Sequence, residues 1–296
     1  MDSRWHYLLM LALVLHSFGC AALGPFSPLR PVERALVFAP SPSTTEAAPE
    51  PGGQVVSFTT DDGVRLQGHL FEHPEPRAVA LFCHGNAGSL ESWSEVGRQL
   101  SEQHQLTVLA FDYRGYGHSA GSPTEVGVLR DGRAAQAWLA RHAGIQKTDV
   151  VVIGRSLGGA VAVDLAANEG ARGLVLESTF SSLPDVAAVH APWIMPHLNM
   201  TQRLNSAGKI ASYRGPVLQC HGDADRLIPL KLARKLHAAI PGKKRFEVIP
   251  GADHNDPQGA AYAQALDEFL ESLPHVRTHS QLESPPESGL TGTDHS

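Results

Sequence analysis

The sequence predicts an α/β fold in which a mostly parallel central sheet is flanked by helices and carries a short lid insertion. Two observations predict it. Short β-branched runs alternate with longer helical patterns from about residue 55 to residue 272, and this alternation is typical of a sheet that is covered on both faces. Polar loops also follow several predicted strands, as in sheets whose ligands bind beyond the carboxyl ends of the strands.

The predicted elements follow in order along the chain. The first two strands flank Asp61-Asp62-Gly63, which is a hairpin signal, and the later strands alternate with helices. The predicted strands are 55–59, 64–71, 78–83, 106–111, 150–153, 173–177, 217–220 and 245–249. The predicted helices are 91–103, 125–142, 157–169, 230–240 and 258–272. An apolar segment interrupted by prolines at 181–214 breaks the alternation and predicts a small lid.

The segment 150–159 is the most specific functional signal. A β-branched run leads into the pattern G-x-S-x-G at 154–158, and an alanine-rich helical pattern follows. In such a nucleophile elbow a serine stands on a tight turn between strand and helix. Gly154 and Gly158 leave room for the turn and the packed helix. The helix N-terminus favours negative charge near Ser156, which is therefore the predicted nucleophile.

A serine nucleophile requires a base and an acid that orients the base. The strand at 217–220 is followed by Asp223 and Asp225, and Asp225 is the better candidate acid because it stands further past the strand end. The strand at 245–249 is followed by His254, the predicted base. Each has a simpler interpretation, since aspartates form turns and loop histidines are commonly solvated. Together they give the order Ser, Asp, His that this architecture requires.

An oxyanion hole is predicted from two backbone N–H groups. One belongs to Leu157, the residue after the nucleophile, and the other to the small-residue loop after the strand at 78–83. Asn86 is the favoured donor in that loop, with Ala87 as the neighbouring alternative, and the simpler interpretation of Asn86 is a turn residue. His84 is interpreted as a brace for the loop rather than a second base.

The predicted lid carries apolar and aromatic residues. Trp193, Ile194, Met195 and Leu198 are placed to line an acyl-binding groove, and Trp193 and Met195 are the candidate substrate-binding residues. The alternative is that they only pack the lid against the domain. A short lid leaves a rather open site.

Residues 1–22 predict an export signal, with a short polar start, an apolar stretch at 7–18 and small residues after it. The stretch is shorter than the about 20 apolar residues of a membrane-spanning helix. Cys20 predicts lipidation, although Ser17 stands where that pattern prefers leucine. Cleavage after Ala22 and an uncleaved anchor are the alternatives. We expect an exported, membrane-anchored lipoprotein of the bacterial cell envelope.

The rest of the chain divides into three parts. Residues 23–53 are rich in Pro and Ser and predict a linker, although 36–38 are apolar enough to pack on the domain. Residues 54–273 form the predicted catalytic domain, with the lid at about 181–214. Residues 274–296 predict a disordered tail.

Composition excludes some classes of function. The formal net charge of the 296 residues is −6, and the absence of a basic stripe argues against a nucleic-acid partner. No spacing of cysteine or histidine suggests a metal site, and no cofactor is implied. Cys83 and Cys220 are predicted to be buried free thiols, with a disulfide between them as the alternative. We expect a monomer.

Six segments resemble the α/β-hydrolase superfamily, and the resemblance covers roughly residues 53–273. These segments are 84–88 (HGNAG), 111–117 (FDYRGYG), 154–158 (GRSLG), 177–180 (ESTF), 221–225 (HGDAD) and 251–256 (GADHND). The sequence is most similar to small-lid, ABHD-like serine hydrolases, a subgroup that includes protein depalmitoylases. This resemblance implies Ser156 as nucleophile, Asp225 as acid and His254 as base. It also implies that 112–117 is a structural loop near the site, where Arg114 has the charge to pair with a carboxylate.

The predicted activity is hydrolysis of a carboxylic ester or thioester through an acyl-enzyme. An acyl ester, a lipid or an acylated protein is the expected substrate. One alternative is a serine peptidase or amidase of the same fold. The other is a non-catalytic, membrane-tethered binding protein, which the complete set of Ser156, Asp225 and His254 disfavours.

Overall fold

The computed structural model describes residues 30–43 and 51–274. These residues contain ten strands, and the main sheet has both parallel and antiparallel pairs. The strands are β1 Ala39–Pro40, β2 Gln54–Thr59, β3 Arg65–Phe71, β4 Ala78–Cys83, β5 Ala87–Gly88, β6 Leu106–Phe111, β7 Val151–Arg155, β8 Gly173–Glu177, β9 Val217–Gly222 and β10 Lys244–Ile249. Eight of them form the main sheet in the order β10-β9-β8-β7-β4-β6-β3-β2. The first two strands of this sheet along the chain, β2 and β3, form an antiparallel hairpin, and β3 pairs antiparallel with β6. The remaining pairs are parallel, as predicted.

Helices cover both faces of the sheet in the described part of the chain. The α-helices are α1 Arg30–Val37, α2 Leu90–His104, α3 Glu125–His142, α4 Leu157–Asn168, α5 Leu183–His190, α6 Pro196–Asn199, α7 Ser206–Ile210, α8 Leu230–Ala239 and α9 Gly259–Glu271. Short 3₁₀ turns lie at Lys147–Asp149 and Pro192–Ile194. Within these described residues no helix is long and apolar enough to cross a membrane.

The central strands and α4 form the inside of the molecule. Every residue of β6 and β8 is buried, as expected for strands that are covered on both faces. All residues of α4 from Leu157 to Ala166 are buried, which explains why its sequence is apolar on nearly all sides. The exception is Asp164, which pairs with Arg133 and Lys209. Two groups of buried side chains fill the opposite faces of the sheet. Cys83 and Cys220 lie among them as free, buried thiols, as predicted.

The structure differs from the predicted linker at residues 30–43. Helix α1 and strand β1 fold against the domain, because Val37 and Phe38 are buried in its core. β1 pairs in parallel with β5. The predicted export signal with Cys20 lies outside the described residues, as does the predicted tail apart from Pro274.

The lid is a chain of short helices between β8 and β9. The Ser182 side chain caps α5, and prolines begin both the 3₁₀ turn and α6, where a missing N–H costs little. The lid is attached to the domain by an ion pair between Lys235 of α8 and Asp185, at 2.9 Å. Because each helix is only one or two turns long, the segment lacks the long periodic pattern of the other helices.

Candidate active site

Ser156 stands on the turn between β7 and α4 in a conformation that few non-glycine residues adopt. Its φ is +54° and its ψ is −118°. Two hydrogen bonds hold the turn, since the N–H of Ser156 donates to the carbonyl of Glu177 at 2.9 Å and the Thr179 hydroxyl donates to the carbonyl of Ser156 at 2.7 Å. A Cβ at Gly158 would collide with the carbonyl oxygen of Cys83. The glycine is thus required by close approach of the backbone.

The three residues predicted to act together are joined by hydrogen bonds. His254 Nε2 lies 3.0 Å from Ser156 Oγ, and His254 Nδ1 lies 2.8 Å from Asp225 Oδ2. In the tautomer that this network requires, Nδ1–H donates to the carboxylate and Nε2 accepts from the serine hydroxyl. All three side chains are buried. This is the geometry of a nucleophile, a base and an orienting acid.

Asp225 is held ionised by its surroundings. Burial alone would raise its pKa, but hydrogen bonds from His221, His254 and the Ile228 N–H outweigh that effect and hold the pKa well below its usual range. The Ile228 N–H lies 2.7 Å and the Leu227 N–H 3.0 Å from Oδ1. Buried His221 lies 3.3 Å from Oδ2. The carboxylate is therefore available to orient His254.

The rival acid, Asp223, has a structural role. Its Oδ1 accepts a hydrogen bond from the Gly251 N–H at 2.6 Å, which ties the loop after β9 to the loop after β10. Asp253 reinforces this tie by accepting hydrogen bonds from the backbone N–H groups of Arg226 and His254, at 3.0 and 2.8 Å. These bonds and the Arg226 side chain lower the pKa of Asp253 to about 2.

Arg155, the residue before the nucleophile, clamps the histidine loop. One guanidinium nitrogen lies 3.3 Å from the carbonyl of His254 and 3.3 Å from that of Asp256. The guanidinium also stands 5.7 Å from the Trp93 ring centroid, within cation–π range. The turn that carries Ser156 and the loop that carries His254 are therefore directly connected.

The loop that carries Asn86 lies beside the nucleophile. Asn86, Ser156 and Leu157 line the same cavity. The Asn86 carbonyl accepts from the Ala39 N–H at 3.3 Å and from the Tyr116 hydroxyl at 3.0 Å. Its side chain donates to the Val37 carbonyl at 3.3 Å. These bonds hold Asn86, the residue whose N–H is predicted to be one oxyanion donor, against α1 and Tyr116.

The neighbouring loops act as braces. His84 Nδ1 lies 2.7 Å from the Gly85 carbonyl, and the ring packs 4.5 Å from that of Tyr113, so its contacts fit the predicted bracing role. Arg114 pairs with Asp62 and Asp131 at 2.9 and 2.8 Å, which agrees with the predicted carboxylate partner.

A cavity of about 430 Å³ opens above Ser156. Its walls are mostly apolar. Besides Asn86, Ser156 and Leu157, they come from the lid, the loop after β9 and helix α1. Lid residues in the wall include Val186, Ile194 and Met200. A volume of this size suits a small-molecule ligand, and the apolar wall suits a hydrocarbon chain.

The structure places Trp193 and Met195 outside the wall of this cavity. Both side chains are exposed, 50% and 40% respectively, whereas Ile194 between them lines the cavity. The 3₁₀ turn at Pro192–Ile194 directs one of three consecutive side chains inward. Of the four lid residues predicted to line a groove, Ile194 therefore lies in the cavity wall, whereas Trp193, Met195 and Leu198 do not.

Sequence reasoning also missed the contribution of α1. Val32, Glu33, Leu36 and Val37 line the cavity. The Glu33 carboxylate accepts hydrogen bonds from the Thr201 N–H and hydroxyl, both at 2.7 Å, and from the Gln202 N–H at 2.6 Å. The apolar spacing of Val32 and Leu36, four residues apart, is the signal that predicts such a helix face.

His221 was likewise not singled out as a partner of the acid. Its Nε2 lies 2.7 Å from the Ile228 carbonyl as well as near Asp225.

Among the described residues, no group of three or more His, Cys, Asp or Glu is arranged to hold a metal ion.

Known proteins resemble this chain in sequence and in fold. The sequence profile described as the alpha/beta hydrolase fold matches residues 79–207. An uncharacterized protein of Mycobacterium tuberculosis is 39% identical over 245 residues, covering 80% of this chain and 87% of that protein. The alpha/beta hydrolase domain-containing protein WAV2 of Arabidopsis thaliana is 32% identical, covering 72% and 76%. The esterase Pf2001 of Pyrococcus furiosus superposes with a TM-score of 0.65 at 21% identity, covering 79% of this chain and 98% of the esterase.

The chain belongs to the α/β-hydrolase superfamily. The fold predicted from the sequence is confirmed by these similarities and by the parallel sheet with its flanking helices. The family and the fold support a hydrolase.

Proposed function

We propose that the protein is a serine hydrolase that cleaves a carboxylic ester or thioester with an apolar acyl group. One observation carries this proposal: Ser156, His254 and Asp225 form a continuous hydrogen-bonded chain, and Ser156 lies in the wall of the apolar cavity. An activated hydroxyl and an acyl-binding space are thus adjacent.

The reaction begins when Ser156 Oγ attacks the substrate carbonyl and His254 Nε2 takes the hydroxyl proton. Asp225 stabilises the imidazolium that forms. The N–H groups of Leu157 and Asn86 donate to the oxyanion. His254 then passes its proton to the leaving alcohol or thiol, and the acyl group remains on Ser156. In the second half of the reaction, His254 deprotonates a water molecule, which attacks the acyl-enzyme. His254 then returns the proton to Ser156 Oγ as the carboxylic acid leaves.

The cavity wall favours esters and thioesters of hydrocarbon acids over peptides. Apart from Ser156 and Asn86, the polar side chains in the wall are few: Glu33, His190 and Asn199. Glu33 is occupied by the lid backbone, His190 donates to the Leu227 carbonyl at 2.8 Å and Asn199 to the Ile194 carbonyl at 2.8 Å. With these groups engaged, the cavity offers little that recognises a peptide backbone.

Hydrolysis of p-nitrophenyl esters and of acyl thioesters with rising chain length tests the proposal. We expect wild-type turnover of both classes and a loss of at least about 10⁴-fold in Ser156→Ala, since loss of a triad nucleophile has effects of this order. Ser206, a buried serine in the lid region, supplies the control variant Ser206→Ala. Equal rates for wild type and Ser156→Ala would refute the proposal.

A further inference from the structure

Exposed apolar side chains gather around the mouth of the cavity. Three of them, Val32, Leu36 and Leu227, also line the cavity wall. The other three, Trp193, Met195 and Leu198, lie on the lid segment around the wall residue Ile194. We call these six residues the apolar rim: Val32, Leu36, Trp193, Met195, Leu198 and Leu227. Leu36 and Leu198 are 75% and 74% exposed.

The apolar rim contains most of the large apolar side chains that are exposed in the described residues. Of the nine large apolar side chains exposed in residues 30–43 and 51–274, six belong to it. Two of the others, Val55 and Val248, lie on β2 and β10 at the opposite edges of the sheet. Single exposed apolar residues need no explanation, whereas a contiguous patch marks a surface that contacts a partner or a membrane.

The chain itself indicates which occupant covers the rim. Helix α1, which supplies Val32 and Leu36, begins at Arg30, directly after 29 residues that include the apolar stretch at 7–18. Tryptophan is favoured at the boundary between lipid and water, and exposed Trp193 belongs to the rim.

We propose that the apolar rim docks on a lipid bilayer, with the mouth of the cavity facing the acyl chains. Docking removes the rim side chains from water. The substrate's acyl chain then enters the cavity from the bilayer without crossing water. This last consequence rests on the proposed esterase function, whereas docking does not.

Quenching of Trp193 fluorescence tests docking without any need for catalysis. The full chain carrying Ser156→Ala and Trp5→Phe is mixed with vesicles of phosphatidylcholine and phosphatidylglycerol whose acyl chains are brominated. Trp5 is replaced because it belongs to the predicted export signal and would report on that segment. We expect quenching that is lost when Trp193→Phe is added and kept when Trp138→Phe is added, because Trp138 stacks on Phe58 away from the rim. Comparison of the Trp193→Phe and Trp138→Phe proteins distinguishes docking of the rim from tethering by another part of the chain.

Three outcomes would overturn the docking proposal. The first is absence of vesicle binding. The second is vesicle binding with equal quenching in the Trp193→Phe protein. The third is a Trp193 emission shift that depends on protein concentration in the absence of lipid, which would assign the rim to a second copy of the chain.

Leu198→Ser tests the route of the substrate, because Leu198 belongs to the rim but not to the cavity wall. We expect about tenfold slower hydrolysis of a long-chain ester embedded in vesicles, the effect of one lost leucine contact, with a soluble short-chain ester unchanged. Val248→Ser, an exposed apolar residue of the edge strand β10 that belongs to neither the rim nor the cavity wall, is the control and keeps both rates. Equal loss on both esters would contradict bilayer entry. No hydrolysis of either ester by the wild type would refute the proposed function and leave the quenching result standing.

Discussion

At the scale of single residues, the loop after β9 shows how two aspartates separated by one residue acquire different roles. Asp225 lies 2.8 Å from His254 Nδ1 and accepts two backbone N–H groups. Asp223, two residues earlier, points to the Gly251 N–H instead. The sequence favoured Asp225 from its position past the strand, and the hydrogen bonds agree. The partner His221 was not predictable, because its approach to Asp225 depends on how the loop folds back onto β9.

Asp225→Asn is predicted to lower the turnover of a p-nitrophenyl ester by roughly 10⁴-fold, because an amide no longer fixes the tautomer of His254. The matched control is Asp223→Asn, which keeps the triad and is expected to retain turnover within a few fold. Steady-state kinetics of both purified variants measures the difference. If Asp223→Asn were the inactive one, the assignment of the acid would be wrong.

The two described cysteines are predicted to be chemically inert in the folded protein. Burial raises the pKa of the Cys83 and Cys220 thiols well above the ordinary value, and the thiolate is the reactive form. We expect no modification of either residue by a thiol reagent at pH 8 until denaturant is added. Mass-spectrometric peptide mapping reads each cysteine separately. Rapid modification of the native protein at either position would contradict their burial.

At the scale of elements, the regular parts of the fold were the most predictable. The strands Ala78–Cys83, Leu106–Phe111 and Gly173–Glu177 and the helix Glu125–His142 have the predicted bounds, because β-branched runs and a long amphipathic pattern specify them locally. Helix α1 was not predicted. An eight-residue helix is marginal alone, and this one depends on Val37 and Phe38 entering the core. Its proline-rich surroundings resemble a linker.

Glu33→Gln is predicted to loosen α1 from the lid. It weakens charge-assisted hydrogen bonds to Thr201 and Gln202, and each such bond contributes about 1.5–3 kcal/mol. We expect faster hydrogen exchange in residues 30–43 and a lower kcat/KM for long-chain than for short-chain esters. Glu72→Gln, which changes an exposed carboxylate bonded to Gln54 and His142 rather than to the lid, is the control. Unchanged exchange in residues 30–43 would show that Glu33 does not hold the helix.

At the scale of the whole molecule, several carboxylates link stability to pH. Arg114 and Thr60 hold the pKa of Asp62 well below its usual range. Hydrogen bonds hold the pKa of Asp225 below its usual range in the same way. A carboxyl whose pKa is lower in the folded state favours folding above its unfolded pKa of about 4, and that contribution is lost as the pH falls towards the folded pKa. Burial raises the pKa of Glu177 and Asp131. These two carboxyl groups therefore act in the opposite direction and favour folding at low pH.

The melting temperature is therefore predicted to fall between pH 5 and pH 2.5, and to fall less steeply in Asp62→Asn. The control is Asp61→Asn, since Asp61 is exposed and its contact with Arg130 is 4.0 Å long. Thermal unfolding followed by circular dichroism over this range gives both slopes. A slope for Asp62→Asn as steep as that of the wild type would mean that the pairing of Asp62 with Arg114 does not contribute.

Ser156 is proposed to be an activated nucleophile, and covalent labelling with a tagged fluorophosphonate tests this assignment without any knowledge of the substrate. We expect one adduct on the folded wild-type protein, located on the peptide that contains Ser156. That adduct is absent in Ser156→Ala and forms much more slowly in Asp225→Asn. No adduct on folded wild-type protein, or an adduct that persists in Ser156→Ala, would contradict it.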